Sequence, residues 1–420
     1  MTFTLSVDGV RWRDHAAGVR DAVRTAISAG THHHTDGDLV PVAKGNGYGV
    51  GNARLAREAS DLGLTRVAVG TVFEAADLVE AYDGDLLVLT PFEPADAVAA
   101  PVWHALASGP HGARIVRTIS SRVAWETVAT GPGPARVVLE ALTSMGRFGL
   151  TAPELTALLT DDVTVAALAA GRVRLEGLAL HLPLTAPSID HRSVPGARWK
   201  DAAVAPAPPA GASARVVESL AWGLEWQHSL ADLSERVAAG GNDAAVTALT
   251  GAAALWVSHL DDVELTALRG ALPQIALFAR IGTRLWLGDR GALRAQGTVL
   301  AVHEIGKGQA SGYRQRRASR DGALVVVGGG TAHGVALEAP SHVGSLRQRA
   351  VAAGSGVLEA GGRALSPFHL GGKQRWFAEP PHMQVSLLRV PAGVALPQVG
   401  DQLEVDVRLT TVSFDAVLGL

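Results

Sequence analysis

Cysteine is absent from the 420 residues, which excludes disulfides, thiolate metal sites and a cysteine nucleophile together. No apolar run approaches the ~20 residues that a membrane-spanning helix requires. The net charge of −3 offers no attraction to nucleic acid or to an anionic membrane surface. Residues 1–20 carry acids and arginines without an apolar signal core, so no export is expected and the default compartment is the cytoplasm. Tyrosine is scarce, with only Tyr48, Tyr82 and Tyr313. Lysine is nearly as scarce: Lys44, Lys200, Lys307 and Lys373 stand alone, and arginine supplies the rest of the 37 basic side chains.

What is present describes a well-packed globular protein. Hydrophobic residues make up 47% of the chain and charged residues 18%, and this length leads to an expectation of two domains. The excess of arginine, alanine and glycine reads as a bias of genome composition. It sharpens the meaning of the few lysines that remain.

From about residue 38 to 290, short apolar runs alternate with stretches of helical periodicity. Candidate strands are 38–43, 65–70, 85–89, 113–118, 135–142, 174–182, 252–258 and 274–281, with helical patterns at 53–62, 72–82, 122–129 and 153–159. Eight strands alternating with helices predict an α/β fold, a parallel (β/α)8 barrel over residues 1–290; a doubly wound sheet is the competing reading. After residue 290, β-rich runs at 298–304, 323–327, 383–390 and 402–411 lie between glycine and proline turns, which predicts a β-rich C-terminal domain over 291–420. The run His32-His33-His34 reads as a solvated loop, because adjacent histidines diverge on an extended chain, and no metal site is expected. Residues 183–213, rich in proline, alanine and glycine, read as a long loop bordering the substrate entrance.

The segment Val42-Ala43-Lys44-Gly45-Asn46-Gly47-Tyr48-Gly49 carries the strongest chemical signal. A lysine ends an apolar strand in a chain whose usual cation is arginine. An amine condenses with a carbonyl and a guanidinium does not; the alternative is a lysine that snorkels beside a glycine turn. The segment closely resembles the Lys-Ala-Asn-Ala-Tyr-Gly motif of the alanine racemases, fold-type III enzymes dependent on pyridoxal 5′-phosphate (PLP). Four further strand ends resemble that family in the same order: Ser144-Met145-Gly146-Arg147-Phe148-Gly149, Leu178-Ala179-Leu180-His181, Trp256-Val257-Ser258, and Ala279-Arg280-Ile281-Gly282-Thr283. Taken alone, Arg147 reads as a surface or salt-bridging arginine and His181 as a satisfied core histidine. Arg280 and Arg284 compete for one role, and the glycine that soon follows favours Arg280.

The resemblance implies that Lys44 holds PLP covalently and exchanges protons on one face of the substrate α-carbon. It implies that Tyr48, Ser258, Gly282 and Thr283 hold the phosphate, that His181 borders the cofactor and that Arg280 faces the pyridine nitrogen. A permanent cation there disfavours ring protonation and makes the ring a weaker electron sink. Arg147 and Met383 would contact the substrate. Tyr313, in Ser311-Gly312-Tyr313-Arg314, would serve the opposite face from a partner subunit, so the implied assembly is a homodimer with shared active sites; a surface tyrosine is the other reading.

The C-terminal half departs from the family pattern. Gly330-Thr331-Ala332-His333-Gly334 stands where Gly-Tyr-Ala-Asp-Gly is usual, Gln384 replaces an aspartate after Met383, and Glu140 takes the place of a lysine that many relatives carbamylate. The expected activity is a two-base racemisation of a small amino acid, alanine first, for cell-wall D-alanine. A larger amino acid or another PLP reaction on this fold is the alternative within enzymes. A PLP-binding protein without turnover, or a regulatory one, is the alternative outside them.

Overall fold

The computed structural model describes residues 3–28, 37–184, 209, 211–240, 243–249, 251–337 and 364–420. The histidine run at 32–34 and most of the 183–213 loop lie outside the described residues. Strand β1 (Phe3–Val7) and helix α1 (Gly9–Ser28) open the chain. Eight parallel strands follow: β2 (Leu39–Pro41), β3 (Arg66–Val69), β4 (Asp85–Val88), β5 (Ile115–Ile119), β6 (Ala135–Ala141), β7 (Val173–Leu180), β8 (Ala254–Ser258) and β9 (Ala276–Ile281). Each falls where an apolar run was expected.

Their spatial order is β2-β9-β8-β7-β6-β5-β4-β3. A parallel bridge between Val42 and Ala68 joins the two ends, with Ala43 N–H donating to the Ala68 carbonyl at 2.8 Å. That closure decides for the barrel over the doubly wound sheet. Every strand or strand end contributes to one buried cluster, including Val42, Ala68, Leu87, Val116, Val138, Ala179, Trp256 and Phe278. Trp256 stacks on Phe278 at 4.4 Å between ring centres and donates its indole N–H to the Glu176 carbonyl at 2.8 Å. Polar caps convert strand ends into helix starts: the side chains of Thr71, Ser121 and Asp261 accept free amides in the first turns of the helices Val72–Leu78, Arg122–Thr130 and Asp262–Ala271.

Two compact units divide the chain: residues 15–45 with 52–286, and residues 1–14, 46–51 and 287–420. The first holds the barrel. The second is built on β10 (Leu293–Ile305), to which β1 pairs antiparallel with Phe3 opposite Gly297. Its sheet continues through the strands Gly322–Gly328 and Val385–Pro391 to the hairpin Lys373–Phe377 and Leu365–Leu370. Alternate residues of these strands point inward, and Phe3, Val299, Val325, Val327, Phe368, Leu388 and Val390 form its core. Of the β-run expected at 402–411, Gln402–Glu404 forms a strand and Val405 an antiparallel bridge to Phe368, before a turn closed by Thr411 N–H and the Arg408 carbonyl ends the extended backbone.

Candidate active site

Lys44 follows directly on the bridge that closes the barrel. Its side chain reaches solvent but stands among protein atoms and cations. Desolvation first, and then the charges of Arg147 and Arg280, lower its pKa from the ordinary value; Glu74 opposes them. Glu74 also shapes the backbone here. Its carboxylate accepts the Gly45 amide at 3.1 Å and the Gly70 amide at 2.7 Å.

The ends of β6 to β9 gather the remaining groups of this unit. Arg280 is 6% exposed, and its Nη2 donates to the Leu180 carbonyl at 2.8 Å. Burial lowers its pKa to about 10, with Glu140 opposing the fall, so it stays cationic near neutrality. Arg284 is spoken for: its guanidinium forms a bidentate pair with Asp262 at 2.7 and 2.5 Å. Of these two arginines, Arg280 is the one whose charge acts on Lys44. Glu140, 2% exposed, has its pKa raised by burial against the pull of Arg280 and Arg147. Neither Glu140 Oε2 nor Arg280 Nε has a hydrogen-bond partner among the described residues.

His181 Nδ1 lies 3.2 Å from the Ser258 hydroxyl, which also accepts the Leu182 amide at 3.3 Å. Beside it stands His259, at a φ of 63°, with ring centres 5.3 Å apart. Burial first, and then Arg280, lowers the pKa of His181 to about 3 and of His259 to about 4. Both rings are neutral at physiological pH and can serve as uncharged hydrogen-bonding walls. Gly282 and Thr283 lead into the short helix Thr283–Leu287, where the Gly282 carbonyl accepts the Trp286 amide at 3.0 Å. Arg147 is exposed in the loop after β6, over the Phe148 ring at 5.2 Å.

Tyr48, Tyr313 and Met383 belong to the other unit. Tyr48 is buried in the turn Gly47–Gly49 at a φ of 56°, a left-handed conformation rare for a bulky side chain. Asn46 fixes that turn by donating its side-chain amide to the Leu409 carbonyl at 2.8 Å. Tyr313 is 84% exposed and Met383 69% exposed. They border one concavity of about 550 Å³ with Thr331, Glu379 and His382.

Residues 20–202 match the family model described as alanine racemase, N-terminal domain. That segment is similar to the alanine racemase N-terminal domain and covers less than half of the chain. No curated protein sequence matches it. Its fold is similar to that of alanine racemase from D-cycloserine-producing Streptomyces lavendulae, at 18% identity and a TM-score of 0.56, over 96% of this chain and 87% of that one. It is similar to alanine racemase from Bartonella henselae with covalently bound pyridoxal phosphate, at 16% identity and a TM-score of 0.59, over 100% and 99% of the two chains. Histidine racemase from Leuconostoc mesenteroides subsp. sake shares the fold at 15% identity and a TM-score of 0.51, over 96% and 87%. Over nearly its whole length the chain thus has the fold of these amino-acid racemases.

Within the alanine racemase fold, three groups escaped the sequence reading. Thr71-x-x-Glu74 has the spacing of a helix capping box, yet the Glu74 carboxylate turns to Gly45 and Gly70. His259 gives no signal beyond following Ser258. Glu379, 4% exposed, accepts from His382 Nε2 at 2.6 Å and from the Tyr313 amide at 3.1 Å.

Proposed function

We propose that this protein is a PLP-dependent amino-acid racemase that interconverts L- and D-alanine as a homodimer, supplying cell-wall D-alanine from the cytoplasm. The observation that carries the reading is the depressed pKa of Lys44 at the mouth of the barrel, caused by burial and by Arg147 and Arg280. An amine biased toward its neutral form is the nucleophile that capture of an aldehyde needs. The donor set fits the cofactor: Arg280 presents a buried Nε without a partner, and His181 is held neutral. Lys44 would hold PLP covalently, Tyr48, Ser258, Gly282 and Thr283 its phosphate, and Arg280 its ring nitrogen. When bound, PLP acidifies the substrate α-C–H by delocalising the electron pair left behind.

The protein's own residues then do the rest. Lys44 removes or returns the α-proton on one face, and Tyr313 of the partner subunit does so on the other. Arg147 and the Met383 backbone orient the substrate carboxylate. Glu140, buried near Arg147 and Arg280, balances their charge. A larger amino acid is the second reading, favoured by Thr331, whose small side chain borders the concavity that Tyr313 and Met383 share. Incubation with PLP and a panel of L-amino acids in deuterated water tests both. Deuterium at the α-carbon with appearance of the D-enantiomer supports racemisation and names the substrate. A borohydride-trapped adduct at Lys44 without exchange overturns turnover and leaves a PLP-binding protein.

A further inference from the structure

Tyr313 is largely exposed, yet the backbone that carries it is pinned from beneath. Glu379 Oε1 accepts the Tyr313 amide at 3.1 Å and Oε2 the Arg314 amide at 3.4 Å. Burial pushes the Glu379 carboxyl upward, but the hydrogen bonds from His382 and from these two amides outweigh it, so the pKa is lowered and the group is a carboxylate. A carboxylate only accepts, so His382 Nε2, 2.6 Å away, carries the proton of that contact. This fixes the imidazole orientation, and its ring lies 4.4 Å from that of Tyr313, centre to centre. Gly312 completes the fit. At a φ of 74°, a Cβ there would stand 2.3 Å from the Glu379 carboxylate, so only glycine lets the acid approach the loop.

We infer that Glu379 and His382 are positioning residues for Tyr313, holding its backbone and ring as one rigid element so that the phenol reaches the substrate α-carbon in a fixed attitude. An exposed tyrosine on an unsupported loop samples several rotamers and loses that entropy at each encounter. A tyrosine clamped by a buried acid and backed by an oriented ring has lost it on folding. The inference rests on the racemase reading, in which Tyr313 serves one face of the substrate alone.

That asymmetry provides the test. Deuterium exchange is measured separately from the L- and D-enantiomers for the full-length wild type, His382→Asn, Gly312→Ala, Tyr313→Phe and the double variant His382→Asn/Tyr313→Phe. His382→Asn and Gly312→Ala are expected to slow exchange about 10- to 100-fold from the same enantiomer that Tyr313→Phe impairs. The other enantiomer and KM stay close to wild type, and the double variant is no slower than Tyr313→Phe. Equal losses for both enantiomers, or multiplied losses in the double variant, overturn the inference. Hydrogen exchange of the Tyr313 and Arg314 amides in Glu379→Gln is read without turnover. Faster exchange there supports the clamp, and an unchanged rate overturns it. A wild type that exchanges no amino acid overturns the racemase reading and the acid–base purpose of the clamp, while those amides still report whether the clamp exists.

Discussion

The carboxylate of Glu74 accepts the backbone N–H of Gly45, one residue beyond Lys44, at 3.1 Å. Its second oxygen takes the amide of Gly70 at 2.7 Å, so a single side chain ties the ends of two neighbouring strands where the barrel closes. Glu74→Ala removes both acceptors, and an unpaired, partly buried amide costs about 1–3 kcal/mol. Glu74→Gln keeps one acceptor and meets the other amide with a donor. Both variants are expected to lower the thermal midpoint of the cofactor-free protein and to slow capture of PLP by Lys44, with alanine the more severe. An unchanged midpoint and capture rate in Glu74→Ala would show that water replaces the carboxylate at no cost.

The paired histidines predict an acid limb in stability. His181 and His259 have pKa values of about 3 and about 4 in the fold, against 6.5 for the free side chain. Between 6.5 and about 4 the unfolded chain therefore takes up protons that the folded rings refuse. Stability from this source is full above 6.5 and falls as the pH drops through that window. Denaturant midpoints measured from pH 7.5 to 4 should decline in the wild type and decline less in His259→Asn. Parallel curves for the two proteins would mean that His259 does not resist protonation.

Lys44 is expected to act against stability. Desolvation, then Arg147 and Arg280, lower its pKa from 10.5, so below the folded pKa its charged form is disfavoured in the cofactor-free fold. The penalty fades as the pH rises toward 10.5. Lys44→Met should raise the thermal midpoint at pH 7 and abolish PLP capture, and its advantage should shrink at alkaline pH. A variant less stable than wild type at pH 7 would show that the lysine contributes more by packing than it costs in charge.

Much of this was legible in the residues themselves. Each barrel strand coincided with an apolar run, because a strand buried on both faces has no polar alternation to blur. β1 was not legible: its five residues pair with β10, whose position some 290 residues away leaves no local trace. The engagement of Arg284 was not legible either, because its partner Asp262 lies 22 residues away in the chain. The role of Glu74 left no mark in the sequence, because its carboxylate is drawn to two glycine amides, one of them 29 residues away.

A shared active site makes a prediction that no single-chain mechanism makes. If Lys44 acts in one subunit and Tyr313 arrives from its partner, Lys44→Ala and Tyr313→Phe homodimers are each defective at both sites. Mixed dimers carry one site with both groups intact and one with neither. Unfolding and refolding the two inactive variants together should then restore activity to about a quarter of the wild-type level, since half the dimers are mixed and each has one good site. The recovered activity should exchange deuterium from both enantiomers alike, which neither parent does. If each chain instead used its own tyrosine, every site in every mixture would lack one group, and no recovery would follow. A mixture no more active than its parents, with mixed dimers verified by mass, would therefore remove the partner's phenol from the mechanism while leaving Lys44 in place.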